Sequence, residues 1–183
     1  MRPITLLTGA SAGIGTALAH EFANHGHELV LVARREQRLN ALADAIAGKG
    51  HTRPTVVAID LQSAEAGPHI AAALTERGLE PGVVINNAGF GLVGLAADLD
   101  IAEQRDMIDL NVSALTDLSL RFLASLERHK GGILNVASIA GFMPGPRSAV
   151  YYATKAYVLS FTEALHQELA PRGIRVCALC PGP

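Results

Sequence analysis

The 183-residue sequence lacks an excess of either charge: 15 lysines and arginines stand against 17 aspartates and glutamates, for a formal net charge of −2. That balance removes the electrostatic reason to expect a nucleic acid or an anionic membrane as partner. Also missing is any apolar run near the ~18 residues that a membrane-spanning helix needs. The opening "MRPITLLTGASAGIG" has one arginine and a brief apolar run that gives way to glycines. A signal peptide would have a longer apolar core and a small-residue cleavage site, so the chain reads as cytoplasmic. Cysteine is scarce. Cys177 and Cys180 form a C-x-x-C inside "IRVCALC", but residues three apart on a strand point to opposite faces, and the sulfurs diverge. Two buried structural thiols are expected there, not a redox or metal pair. The 7 histidines are scattered: His25 and His27 fall at a helix end, and His166 lies on a polar helix. No set of His, Asp and Glu has metal-ligand spacing, so no metal is expected.

What the chain does have is apolar residues, 49% of the total, ample for the core of one domain. Short, nearly all-apolar runs at 4–8, 28–33, 54–59, 82–87, 132–138 and 174–180 are punctuated by glycine or proline and read as buried parallel strands. Longer amphipathic runs at 13–25, 36–48, 63–77, 101–128 and 152–170 read as helices. The alternation implies right-handed βαβ crossovers and a doubly wound α/β fold, a parallel sheet with helices on both faces. No linker or low-complexity tract divides the chain, so residues 1–183 read as one domain. The last residues, "CPGP", follow a strand directly. An apolar strand edge there needs a cover, so a C-terminal portion is expected beyond this sequence.

After the first strand comes "TGASAGIG" at 8–15, followed by a helix. Gly9 permits a tight turn, Gly13 lets the backbone approach a phosphate, and Gly15 allows close helix packing. A pyrophosphate would rest on the helix N-terminus. The spacing is G-x-x-x-G-x-G, unlike the usual G-x-G-x-x-G. At the end of the second strand, where an NAD site carries an acid for the ribose 2′-OH, this chain reads "LVARREQRL" with Arg34 and Arg35. Guanidinium groups suit the 2′-phosphate of NADP, which favours NADP over NAD; otherwise both arginines merely start a surface helix. Ser11 can add a hydroxyl, and Ile14 lies in the same turn. Asp60 past the third strand either accepts from an adenine amino group or caps the next helix.

"SAVYYATKAYVLS" at 148–160 sets three tyrosines around Lys155. Tyr151 and Tyr152, four and three residues before it, both share its helix face. An ammonium ~4 Å from a phenolate, at an effective dielectric of ~20, is worth about 4 kcal/mol, enough to prepare a tyrosine for proton transfer at neutral pH. Spacing alone does not choose between the two.

"TGASAGIG", "NNAG" at 86–89, Asn111 in "DLNVSAL", Ser138 in "LNVASIAG", "YYATK" at 151–155 and "PG" at 181–182 occur in order. Together they resemble the short-chain dehydrogenase/reductase family along the whole chain. The resemblance implies Tyr-x-x-x-Lys as the catalytic signature, selecting Tyr151 with Lys155 and leaving Tyr152 and Tyr157 to packing or the substrate side. It implies that Lys155 also binds the nicotinamide ribose and that Ser138 polarises a substrate carbonyl. Asn111 would interrupt its helix and tether a water next to Lys155. Asn87, Ala88 and Gly89 would lie under the adenine ribose, with Pro181 and Gly182 beside the nicotinamide. The implied activity is NADP-dependent interconversion of a carbonyl and an alcohol on a small, apolar substrate, by a homodimer or homotetramer. A non-catalytic NADP(H)-binding regulatory module, or an epimerase or dehydratase on the same scaffold, are the rivals. "GFGLVG" at 89–94 and "GFMPGPRSAV" at 141–150 are expected to line the substrate pocket, with Phe90, Phe142 and Met143 as its apolar side chains.

Overall fold

A computed structural model describes residues 1–182. Strands β1 (Arg2–Thr8), β2 (Leu29–Ala33), β3 (Thr55–Ala58), β4 (Leu79–Asn86), β5 (Gly132–Val136) and β6 (Arg175–Leu179) form one parallel sheet in the order β3-β2-β1-β4-β5-β6. Between them run α1 (Gly13–Asn24), α2 (Glu36–Ala47), α3 (Ala66–Glu76), α4 (Ile101–Ile108), α5 (Leu115–Arg121), α6 (Leu123–Arg128) and α7 (Ala149–Leu169). The central strands β1, β2, β4 and β5 are largely apolar and buried because both of their faces are covered, whereas β3 and β6 are partly exposed. Leu6, Val30, Val32 and Val84 meet Ile70, Leu118, Leu126 and Leu165 from α3, α5, α6 and α7. One residue out of phase, Leu7, Leu29, Leu31 and Ile85 meet Ala19, Leu39, Ala43 and Ile46 from α1 and α2. Each fully buried Leu or Ile side chain contributes about 1.5–3 kcal/mol, so alternation along a strand fixes its register.

Three expectations change. The run at 101–128 is not one helix: Asp109–Ala114 forms a π turn after α4, and Phe122, at φ −104°, separates α5 from α6. Strand β4 starts at Leu79 rather than 82. Its Pro81 is tolerated because the β1–β4 register slips there, Ile4 pairing with Pro81 and Thr5 with Val83; such a bulge needs no ladder N–H from proline. The cysteines are not buried. Val176 packs in the cluster under α7, so Cys177, one residue out of phase on an edge strand paired only with β5, is exposed, and Cys180 just beyond it is half-buried. Among the described residues, no helix is long and apolar enough to cross a membrane.

At the amino end of β4 the sheet carries one buried carboxylate. Glu80 accepts from Arg128 Nε at 3.2 Å and Nη2 at 3.0 Å, and pairs with His129 Nε2 at 2.8 Å. The hydrogen bonds from Arg128 and then His129 hold its carboxyl below the usual range. A depressed carboxylate adds stability above its unfolded pKa of ~4.3 and loses it as pH falls toward the folded value. Urea midpoints measured from pH 7 to pH 3 are therefore expected to fall less steeply below pH ~4.5 in Glu80→Gln than in the wild type. Parallel acid limbs would show that Glu80 adds nothing to the pH dependence.

Candidate active site

A cavity of about 650 Å³ lies over the carboxyl ends of the strands and draws lining from all six: Gly9, Arg34, Asp60, Asn87, Val136 and Pro181 follow or end β1 to β6 in turn. It opens where the winding reverses between β1 and β4, the place where doubly wound sheets hold ligands.

The glycine turn forms its floor. Gly9 has φ +67°, and a Cβ there would fall 2.7 Å from Ala88 Cα; a Cβ on Gly15 would fall 2.2 Å from the Gly9 oxygen. Gly13, at φ +54°, has nothing within 4 Å of its would-be Cβ. Two glycines thus let the turn sit against the β4 end, and the third keeps the helix approach open. Ala12 supplies no side-chain cap to α1, and its first turn holds no acid, so its N–H groups and dipole suit an anion. The turn is pinned by Thr8, whose hydroxyl donates to Ile85 O at 3.2 Å and accepts from the N–H groups of Asn87 and Ala88 at 3.0 and 3.1 Å. Asn87 Nδ2 in return donates to Thr8 O and Gly9 O at 3.0 and 3.1 Å.

Arg34 and Arg35 are exposed at the cavity wall after β2. Arg35 Nη2 donates to Ser11 Oγ at 3.0 Å, which joins the glycine turn to the β2 end. Arg34 lies 3.8 Å from Asp60, both side chains well exposed; such a pair is worth at most about 1 kcal/mol, so the guanidinium is readily recruited by a ligand. Asp60 accepts from Gln62 N at 3.1 Å. It caps a turn and not a helix, because α3 begins only at Ala66.

Over the β4 and β5 ends, the structure brings Asn111, Ser138, Tyr151 and Lys155 together. Asn111 sits in the π turn, 1% exposed. Its Oδ1 accepts from Phe90 N at 3.0 Å, and its Nδ2 donates to Phe90 O at 2.9 Å and Thr154 Oγ1 at 3.1 Å. Thr154 Oγ1 donates to Tyr151 O at 2.7 Å. One carboxamide therefore ties the loop after β4 to the helix that carries Tyr151. Ser138 begins the 3-10 turn Ile139–Phe142, its Oγ accepting from Ala140 N at 3.1 Å; capping uses a lone pair and leaves the hydroxyl proton to donate into the cavity. Lys155 is buried, 6% exposed, with Nζ donating to Val136 O at 2.8 Å and lying 5.8 Å from the Tyr151 ring centroid. Burial pushes its pKa down to about 8. Tyr151 and Tyr152 both line the cavity; Tyr157 does not, and bonds Thr116 at 2.9 Å on the outer face of α7.

The apolar wall differs from expectation. Phe90, Leu92 and Val93 line the cavity, whereas Phe142 and Met143 stay outside it, 62% and 56% exposed, because the 3-10 turn swings the chain outward past Ala140. Thr8, Thr154 and Ser148 were not singled out in the sequence. Thr8 and Thr154 lie inside quoted motifs, and only the fold shows which neighbour each hydroxyl meets.

Fold and cavity together define a doubly wound α/β domain with a crevice for a nucleotide and an adjoining Tyr–Lys–Ser cluster. The family model for short chain dehydrogenases matches residues 3–183, and the chain belongs to that family of oxidoreductases. It is 36% identical to sulfoacetaldehyde reductase 2 of Chromohalobacter salexigens over all of this chain and 73% of that protein. Among solved structures it matches the bulky-bulky ketone specific alcohol dehydrogenase of Comamonas testosteroni with a TM-score of 0.91 and 35% identity, over 98% of this chain and 72% of that one. A short-chain dehydrogenase from Sphingobium yanoikuyae in complex with NADPH gives a TM-score of 0.91 and 36% identity, over 98% and 71% of the respective chains.

The lowered Lys155 value has a consequence for stability. Below pH ~8 both states hold the proton, and folding carries the full cost of burying the charge. Between pH ~8 and ~10.4 the unfolded chain holds more protons than the folded one, so stability rises with pH, by up to roughly 1.4 kcal/mol per unit from this group. Replacing Lys155 with Met is expected to remove that contribution from urea midpoints measured between pH 7.5 and 10. An unaltered slope would show that the ammonium is not held against burial.

Proposed function

We propose that this protein is an NADP(H)-dependent oxidoreductase that interconverts a carbonyl and an alcohol on a small, apolar substrate. The observation that carries the reading is the convergence of Tyr151, Lys155 and Ser138 in the same cavity as the glycine turn and two exposed arginines, Arg34 and Arg35. The residues suit the group: the uncapped α1 terminus would take a pyrophosphate, and Arg34 and Arg35 at the β2 end would hold a 2′-phosphate, where a carboxylate would select NAD. Asp60, Asn87, Ala88 and Gly89 line the cavity where the adenosine half would lie, and Pro181 and Gly182 where the nicotinamide half would. When bound, the nicotinamide supplies or accepts the hydride. Ser138 donates to the carbonyl oxygen, where negative charge develops. Tyr151 gives its phenolic proton to that oxygen in reduction and takes it back in oxidation. Lys155, its pKa pushed down to about 8 by burial, lies 5.8 Å from the Tyr151 ring centroid and sets its ammonium beside the proton-transferring side chain. Asn111 holds the loop after β4 against α7 and keeps the two halves in register.

Phe90, Leu92 and Val93 favour an apolar substrate, in keeping with a ketone-specific relative of 35% identity. Exposed Ile101, Ile108, Leu120 and Tyr157 on α4, α5 and α7 favour a homo-oligomer, and the free thiols Cys177 and Cys180 suit a reducing cytoplasm.

Titration with NADPH and NADH, followed by nicotinamide fluorescence, tests the cofactor assignment. NADPH is expected to bind at least tenfold more tightly, and Arg34→Ala with Arg35→Ala to erase that preference. Equal affinities in the wild type would overturn the choice of NADP. For the chemistry, Tyr151→Phe is expected to lower NADPH-dependent ketone turnover by about 10²–10⁴-fold while leaving cofactor affinity in place. Turnover at the wild-type rate would remove Tyr151 from the reaction.

A further inference from the structure

Tyr151 owes its place to packing against two neighbours, and neither contact belongs to the Tyr-Lys-Ser cluster. The first is Gly91: a Cβ there would fall 2.9 Å from Tyr151 Cδ2, 3.2 Å from Cγ and 3.3 Å from Cε2. The bare glycine backbone is therefore in contact with the ring, and no side chain fits between them. The second neighbour is the Tyr152 ring, edge to face at 6.1 Å between centroids and 77° between planes. Tyr152 is itself backed by Gly145, whose would-be Cβ lies 2.3–2.4 Å from its ring carbons. The result is a row, Gly145–Tyr152–Tyr151–Gly91, in which both outer members must be glycine.

The Gly91 end is also fixed in space. Asn111 holds Phe90 by both backbone groups, Ser148 Oγ donates to Leu92 O at 3.0 Å, and Gly94 N donates to Arg147 O at 2.7 Å. Arg147 makes that last contact from a left-handed backbone, φ 68°, which costs a non-glycine residue roughly 1–2 kcal/mol. With its loop tied at residues 90, 92 and 94, Gly91 cannot yield to the ring.

We propose that Gly91 and Tyr152 are positioning residues that clamp the Tyr151 ring, so that its hydroxyl meets the substrate oxygen and the ring cannot swing away from Lys155. The proposal rests on the reading of Tyr151 as the acid–base group. A phenol misplaced by ~1 Å costs about 10²-fold in rate, so the clamp acts on turnover through Tyr151, although Gly91 and Tyr152 also border the cavity. Gly91→Ala and Tyr152→Ala, assayed with NADPH and acetophenone, are each expected to lower kcat about 10²-fold, a larger effect than any change in KM, with the NADPH dissociation constant changed less than about threefold. Tyr152→Phe, which keeps the ring edge, is expected to restore kcat to within about threefold of wild type.

A wild-type kcat in Tyr152→Ala, a change confined to KM, or a Tyr152→Phe variant as slow as Tyr152→Ala would overturn the clamp. A second readout does not depend on turnover. The chain has 3 tyrosines, so 3-fluorotyrosine labelling gives three ¹⁹F signals, that of Tyr151 being the one lost in Tyr151→Phe. Its shift is expected to be displaced from free tyrosine in the wild type and to move toward it in Tyr152→Ala. If Tyr151→Phe turns over normally, the reading of the chemistry fails, and the ¹⁹F shift alone decides the clamp; an unmoved Tyr151 signal rejects it.

Discussion

The site depends on how the backbone is satisfied where the sheet changes winding direction. Between β1 and β4 the two chains leave the sheet on diverging paths, and their N–H and C=O groups lose ladder partners while still largely buried. An unpaired buried group of this kind costs on the order of 1–3 kcal/mol. Short polar side chains meet the need: the Thr8 hydroxyl bridges Ile85 O to two N–H groups, and Asn87 caps the carbonyls of Thr8 and Gly9. Because those bonds are short, the β1 turn must lie against Ala88, and that proximity is why Gly9 and Gly15 admit no side chain. The nucleotide cradle follows from the repair of an interrupted ladder.

The same device recurs one layer out. A regular helix across residues 109–114 would pass a carboxamide at Asn111 along its own surface; the π turn widens the backbone there, and such turns gather at functional sites. Asn111 then completes both backbone groups of Phe90 and reaches Thr154. The loop that carries Phe90, Leu92 and Val93 is thereby built onto the helix that carries Tyr151 and Lys155, so the two walls of the cavity share one frame. Lys155 shows the balance of terms in that frame. A fall from ~10.4 to about 8 corresponds to roughly 3 kcal/mol lost to desolvation, even with the Val136 carbonyl in charge-assisted contact at 2.8 Å.

Much of this was legible in the chain because it follows from burial and from backbone conformation. Apolar runs such as "ELVLVA" betray strands covered on both faces, and glycines at 9, 13 and 15 betray a turn that meets both a helix and another strand. Arg34 and Arg35 are legible as cavity residues because the end of the second strand of such a sheet borders the crevice, even though Arg35 also occupies the N-cap position of α2. What stayed hidden depends on distances between segments far apart in sequence. Gly91 looks like one more loop glycine until Tyr151 is seen against it, 60 positions later. Thr154 looks like helix filler until Asn111 arrives from the π turn. Phe142 and Met143 carried the right composition for a substrate wall, but a 3-10 turn directs the chain away from the cavity. Cys177 had the apolar surroundings of a core residue, and only the sheet order puts it at an edge.

A buried polar seam behind the cavity explains how the helices keep their depth over the sheet. Asn86 at the end of β4 donates to Ser119 Oγ on α5 and to Asn135 Oδ1 on β5, each at 2.9 Å, and Asn135 donates to Thr162 Oγ1 on α7 at 3.0 Å. All four residues are at most 3% exposed. Apolar packing sets the distance of α5 and α7 from the sheet, and the polar seam adds directional contacts at fixed positions along it. A directional bond weakens steeply once its geometry is lost. The seam costs something, because Asn86 Oδ1 is buried without a partner in the protein, a penalty of about 1–3 kcal/mol. Four elements meet on it directly behind Asn111, Ser138 and Lys155, so its return is positional: a polar chain where valine would pack as well holds α7, and with it Tyr151, in one register over the strand ends.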